Sequence, residues 1–213
     1  MKTRLIFVRH GFSESNKGGL FTGQANVALT ELGHFQAQRA AEYLKDVHID
    51  AVYSSTLDRA FDTARPIAEA RGLEITKLHG LCEIDSGDWE EKPFDDLGDL
   101  FPTEYNLWMT DLFNCQCPNG ESVKEFVKRV HSTVLQIVQE NQGKTVCIAT
   151  HATPIRVISC FATGLDPIHL KDVPWSPNAS INIIDYQDGK FSFSQRDITE
   201  HLKGFETNLP DNV

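Results

Sequence analysis

No run of apolar residues in this 213-residue sequence approaches the roughly 18 needed to cross a bilayer, which argues against a membrane-spanning helix. Positive charge is also short: 20 Lys and Arg stand against 30 Asp and Glu, a formal net charge of -10. Nucleic acid and anionic membranes are met with basic stripes, so neither is an expected partner, and any bound anion belongs in a small local pocket. Cysteines number only five, with Cys147 inside an apolar strand pattern, so buried reduced thiols are expected rather than a disulfide framework. Cys115-Gln116-Cys117 has no second Cys or His pair close by, and a plain loop is expected there rather than a metal site. Too few apolar residues precede Arg9 for a secretion signal, which makes the cytoplasm the expected location. The rest, 40% hydrophobic and 23% charged, is an ordinary globular composition, enough for one domain over 1–213 with one substantial core.

The stretch that organises the chain is Leu5-Ile6-Phe7-Val8-Arg9-His10-Gly11. Four large apolar residues followed by a guanidinium, an imidazole and a glycine read as a short buried strand that stops at a polar site. Arg9 keeps its proton, so it needs an anionic partner: a structural carboxylate, or the oxygens of a bound phosphate or carboxylate ligand. His10 beside it can act as nucleophile or proton carrier near neutral pH.

Further along, Phe12 to Val27 is a polar, glycine-punctuated loop. Asn16, Thr22 and the backbone of Gly23 are candidate donors to an anion beside His10, though each is also a common turn former. Thr30 caps a helix with an inner face of Leu32, Phe35, Ala40, Tyr43, Leu44 and Val47. A strand over residues 49–53 runs into Ser54-Ser55-Thr56-Leu57-Asp58-Arg59, a helix start suited to an anion, and Arg59 there opposes the helix dipole unless an anion is bound. Pro66 predicts a kink or break in that helix. Residues 73–78 alternate as a strand. Glu83, flanked by Cys82 and Ile84, has the apolar setting of a carboxyl that donates a proton, whereas the acids after it read as exposed. Residues 92–119 show no clean periodicity and read as short helical turns and loop, with Trp108, Leu112 and Phe113 available to cover a cleft, which suggests a lid or specificity insertion over about 90–119. Ser122 opens the best helix through a capping box, and residues 145–150 form a second buried strand that ends at His151. Thr153 then caps a helix with Pro154 at its first position. Residues 179–198, with Asp188-Gly189 at the turn, predict a hairpin at a sheet edge.

Strands alternating with amphipathic helices indicate an α/β three-layer sandwich: a mostly parallel sheet, helices on both faces and an antiparallel edge hairpin. In such sheets ligands bind at the carboxyl ends of strands, where Arg9, His10, Arg59 and His151 all fall. Two guanidiniums and two imidazoles converging in an acidic chain describe a pocket for a compact dianion.

These residues resemble the histidine phosphatase superfamily, also called the phosphoglycerate mutase-like family. The matching motifs are Arg9-His10-Gly11 with Ser13-Glu14 and Asn16, Phe21-Thr22-Gly23, Ser54 to Ala60 with Thr63-Ala64, Glu83 with Gly87, Gly120-Glu121-Ser122, and Thr150-His151-Ala152. The resemblance implies a metal-independent phosphatase, with no cofactor, acting on a small phosphorylated metabolite as a monomer or homodimer. It implies that His10 becomes a phosphohistidine, that Arg9, Arg59 and His151 neutralise the transferring oxygens, that Asn16 adds a hydrogen bond, and that Glu83 protonates the leaving group. Asn26 stands where the family usually has Asp, and Ala152 where it usually has Gly, which narrows the pocket. Mutases of the family carry Arg-His-Tyr directly after the acid, but this chain has Ile84-Asp85-Ser86 and no basic residue before Lys92, which favours a phosphatase over a mutase. The run from Glu83 to Gly87 with Glu90-Glu91 is similar to the fructose-2,6-bisphosphatase branch, too short a match to assign a sugar bisphosphate. Phosphoryl transfer of mutase type and a catalytically silent module that holds a phosphorylated partner remain the alternatives.

Overall fold

The computed structural model describes residues 1–207; positions 208–213 of the domain expected over 1–213 lie outside the described residues. The first half of the chain folds as β1 (Thr3–Arg9), α1 (Glu14–Gly18), β2 (Leu20–Phe21), α2 (Glu31–Tyr43), β3 (Ala51–Ser54), α3 (Asp58–Glu69) and β4 (Ile75–Lys77). The second half adds β5 (Lys92–Pro93), α4 (Leu97–Leu100), α5 (Pro102–Thr110), α6 (Val123–Glu140), β6 (Thr145–Thr150), α7 (Ala152–Thr163), β7 (Ile181–Gln187) and β8 (Lys190–Ile198). Six strands make one sheet in the order β4-β3-β6-β1-β7-β8, with β4, β3, β6 and β1 parallel and the β7-β8 hairpin antiparallel at the edge. Asp188 and Gly189 both take positive φ at the hairpin tip, as a two-residue turn of the right twist requires. Among the described residues no helix is long and apolar enough to cross a membrane.

Side-chain alternation along β1 divides the core. Leu5 and Phe7 join one cluster with Phe126 and Val130 of α6 and Ile155 of α7, while Ile6 and Val8 join another with Ala40 of α2 and Ala64 and Ile67 of α3. The α6 stripe from Val123 to Val138 is buried as its periodicity predicts, behind a capping box in which Ser122 and Glu125 exchange hydrogen bonds.

Two local expectations are corrected. On α2 the buried face is Gly33, Gln36, Ala37, Ala40 and Ala41; Phe35 and Tyr43 lie outside it, 37% and 42% exposed. Their rings instead meet the chain's last described turns, Phe35 against Phe205 and Tyr43 against His201. Small residues make up this face where α2 packs closely against α3. Pro66 does not break α3: it lies in the last turn, where only the carbonyl of Asp62 loses a donor. Residues 92–114 hold the short helical turns expected there, with Phe94, Leu97, Trp108 and Leu112 buried in the α6-side cluster.

Candidate active site

Strand register brings the site together. Arg9 pairs with Thr150 across β1 and β6, so His10 and His151 are the next residue on neighbouring strands, and the His10 N–H donates to the Thr150 carbonyl at 2.9 Å. Beyond β3, on the other side of β6, the Ser55 N–H continues the ladder to Ala149 at 3.1 Å. Because β6 is inserted between β1 and β3, the connections leave in opposite directions and open a crevice at their carboxyl ends. An open cavity occupies it, lined by Arg9, His10, Asn16, Thr22, Arg59, Glu83 and Ala152 together with several aromatic side chains.

His10 is buried, and its Nδ1 lies 2.8 Å from the Gly11 carbonyl. A carbonyl only accepts, so the ring hydrogen sits on Nδ1 and Nε2 keeps a free lone pair. Burial first, then the charges of Arg59 and Arg9, hold this imidazole well below the ordinary 6.5, so it is neutral at physiological pH. The ring of His151 lies 5.1 Å away at 58°, fully buried and held low by burial, Arg59 and His10 in that order. Its Nε2 is 2.8 Å from the Ser55 hydroxyl, and its Nδ1 is buried with no partner among the described residues.

The guanidiniums are held by backbone rather than by carboxylates. Arg9 donates through Nη1 to the Ser176 carbonyl at 2.6 Å and leaves Nε unpartnered. Arg59 donates to the carbonyls of Ala25 and Gly23 at 2.8 and 2.7 Å. Both side chains are buried, and neither forms an ion pair among the described residues. Burial pushes Arg9 down to about 10, still cationic near neutrality. Glu83 offsets part of the burial cost for both, and Glu90 part of it for Arg59, but with no carboxylate at ion-pair distance the two buried charges favour an anion that joins them.

Glu83 faces the same cavity, 8% exposed. Its Oε1 accepts the N–H of Ile84 at 2.9 Å and its Oε2 the N–H of Thr153 at 3.1 Å. That second bond exists because α7 begins two residues earlier than its sequence suggests. His151 is the N-cap, Ala152 opens the helix, and Thr153 is not a cap but a free backbone donor in the first turn. Pro154 is therefore third in the helix, where its missing N–H still costs nothing.

The remaining expected binding residues divide. Asn16 lines the cavity; its Oδ1 takes bonds from the Ser13 N–H, the Ser13 hydroxyl and Asn178 Nδ2 at 3.0 to 3.2 Å, which leaves its amide NH₂ free for a ligand. Thr22 also lines it, with a buried hydroxyl lacking any partner among the described residues. Ala152 is on the wall. Gly23 is not: its N–H is donated to Glu90 at 3.1 Å, so the backbone donor expected there is already used. What Gly23 supplies is close approach, since a Cβ would lie 2.1 Å from the Ile84 carbonyl.

Several positioning groups escape sequence reading. Glu90, expected among the exposed acids, is half-buried and accepts the N–H groups of Gly23, Gln24 and Ala25 at 3.1, 2.6 and 3.1 Å. It shapes the loop whose carbonyls hold Arg59. Arg129 on α6 forms a bidentate pair with Glu121 at 2.8 and 2.6 Å and donates to the carbonyls of Gly80, Cys82 and Glu83 at 3.2, 3.1 and 3.2 Å. It thus ties down the segment that carries Glu83. Asn26 also has a defined role: its Oδ1 accepts the Asp58 N–H at 2.9 Å and its Nδ2 donates to the Asp58 carboxylate at 2.8 Å, capping the helix that bears Arg59. Cys115 and Cys117 are buried free thiols, and among the described residues no three His, Cys, Asp or Glu side chains group to hold a metal ion.

Comparison with known proteins gives a consistent picture. The sequence profile of the histidine phosphatase superfamily, branch 1, matches residues 5–199. Phosphoserine phosphatase 1 of Hydrogenobacter thermophilus is 31% identical over 205 residues, 95% of each chain. The adenosylcobalamin/alpha-ribazole phosphatase of Salmonella typhimurium is 35% identical over 148 residues, 70% of this chain and 73% of that one. Among solved structures, YhfR of Bacillus stearothermophilus superposes with a TM-score of 0.89 at 28% identity, covering 94% of this chain and 99% of its own.

Proposed function

The chain belongs to branch 1 of the histidine phosphatase superfamily and is a phosphatase; from that premise we propose that it hydrolyses a small phosphorylated metabolite through a phosphohistidine on His10, without a metal ion. The observation that carries this reading is the pair of buried guanidiniums, Arg9 and Arg59, without a carboxylate partner at a cavity shared with His10 and Glu83. A phosphoryl dianion there would satisfy both cations, and the charge stabilisation a metal often supplies is already built into the protein.

In the first step Nε2 of His10 attacks phosphorus, the ester P–O bond breaks, and Glu83 passes a proton to the departing oxygen. In the second, the Glu83 carboxylate takes a proton from water, the water oxygen attacks phosphorus, and the P–N bond breaks to release phosphate and neutral His10. Arg9, Arg59, the His151 Nδ1 and the free amide of Asn16 supply hydrogen bonds to the equatorial oxygens. Ala152 and Thr22 complete the wall around the phosphoryl group. The five buried free thiols suit a reducing cytoplasm.

The test is hydrolysis of 4-nitrophenyl phosphate in excess EDTA, with an alkaline denaturing quench that preserves a base-stable, acid-labile phosphate label on the protein. Turnover of the parent and at least ~1,000-fold loss in His10→Ala, together with loss of the trapped label, is expected. Undiminished turnover by His10→Ala, or dependence on an added divalent ion, would overturn the reading.

A further inference from the structure

Beyond the phosphate end, the cavity wall is apolar and aromatic. Phe21, Phe94, Trp108, Trp175, Leu20 and Ile84 line it. Phe21 is the hub, with its ring 5.2 Å from that of Trp108 in an edge-to-face arrangement and 6.0 Å from that of Phe94 in a stacked one. Trp175 is fixed from behind by Arg156, whose guanidinium lies 4.1 Å from the ring centroid and is itself tied to the carbonyls of Val173 and Leu170 at 2.8 and 2.7 Å. Such a wall offers preformed flat surfaces.

The charges on the same wall are as informative. Its charged side chains are Arg9, Arg59 and Glu83, all committed to the phosphoryl group and its leaving oxygen. No further charged side chain on it remains to meet a second phosphate, a carboxylate or an ammonium on the substrate. Lys171 lies in the neighbouring groove beyond Trp175, with its amine donated to the Thr110 carbonyl at 3.3 Å. Burying an unpaired charge of the leaving group against indole and phenyl rings would cost far more than burying a ring there gains.

Building on the phosphatase reading, we propose that the leaving group accepted by this site is an uncharged alcohol carrying an aromatic or similarly flat apolar ring, held between Trp108, Trp175, Phe21 and Phe94. Amino-acid and hydroxy-acid phosphates fit poorly, although one relative is called a phosphoserine phosphatase.

Kinetics on four alkyl monoesters test this: 2-phenylethyl phosphate, ethyl phosphate, phosphoserine and 3-phosphoglycerate. All leave as alkoxides, so differences in kcat/KM report on binding of the leaving group rather than its basicity. The phenylethyl ester is expected to exceed each of the others at least ~10-fold. The ratio of phenylethyl to ethyl ester is expected to fall toward unity in Trp108→Ala and Trp175→Ala, a within-protein ratio that global misfolding would not move. Equal or faster turnover of phosphoserine or phosphoglycerate, or a ratio unmoved by both substitutions, would overturn the proposal and leave the phosphatase reading intact. If none of the four esters nor 4-nitrophenyl phosphate is hydrolysed, the phosphatase reading falls and takes this one with it.

Discussion

Replacing Arg129 by Met keeps the aliphatic bulk on α6 and removes the guanidinium that holds the Glu83 segment. The loss is larger than for a surface ion pair, because the side chains of Arg129 and Glu121 are 18% and 14% exposed and the same group serves three backbone carbonyls at 3.1 to 3.2 Å. Breaking a buried pair costs about 3–5 kcal/mol; the residual exposure here brings that to about 2–3 kcal/mol. With a urea m-value of about 2–3 kcal/mol/M for a chain of this size, the unfolding midpoint should fall by about 1 M. Glu121→Gln, which leaves the carbonyl bonds in place, should cost less, and the double variant should cost less than the sum, with a coupling of about 1–2 kcal/mol. Turnover should fall ~10- to 100-fold in Arg129→Met as Glu83 loses its fixed position, with a smaller change in KM, because the guanidiniums that hold the phosphoryl group are untouched. Equilibrium unfolding in urea and steady-state kinetics measure both effects. A midpoint shift under 0.2 M, corresponding to roughly 0.5 kcal/mol, or a coupling near zero would refute the reasoning.

The two site imidazoles make stability depend on pH. Both are held well below the 6.5 of a free histidine, so the unfolded chain takes up protons that the native state refuses. Stability is therefore greatest above pH 6.5 and falls as pH drops below it, by up to about 1.4 kcal/mol per pH unit for each imidazole. Urea midpoints at pH 7.5 and 5.5 should show this, and His10→Gln/His151→Gln should flatten the slope; an unchanged slope would count against it. Gly23→Ala places a Cβ 2.1 Å from the Ile84 carbonyl, so it should lower both stability and kcat, measured in the same two assays. Asn26→Ala removes the bonds to Asp58 at the start of α3 and should cost about 1 kcal/mol in urea unfolding.

The ends of β1 and β6 were readable because each of these buried strands stops at a charged or titratable residue, and the sheet's register does the rest. Arg9 facing Thr150 places His10 beside His151 with no further assumption. The α6 helix was equally plain, since its stripe and its capping box agree. Glu90 and Arg129 were not legible: each acts on backbone amides or carbonyls far away in sequence, and such partners leave no residue-type pattern. The misplaced start of α7 has the same origin. Thr153 and Pro154 look like a cap and a first turn, but the N–H freed by starting earlier is taken by Glu83, 70 residues back. Phe35 and Tyr43 misled because an apolar period cannot say whether a ring meets the sheet or a returning segment of chain.

Two of the four rings on the leaving-group side, Phe94 and Trp108, come from one excursion of the chain, the short helical turns between β5 and α6, while the phosphate-handling groups stand at the carboxyl ends of the strands and in the loops and helix starts that follow them. Part of the taste, the share carried by Phe94 and Trp108, is thus written apart from the chemistry. That excursion is a cassette: grafting its counterpart from another phosphatase of the fold would retune which alcohol is released without rebuilding the centre that releases it.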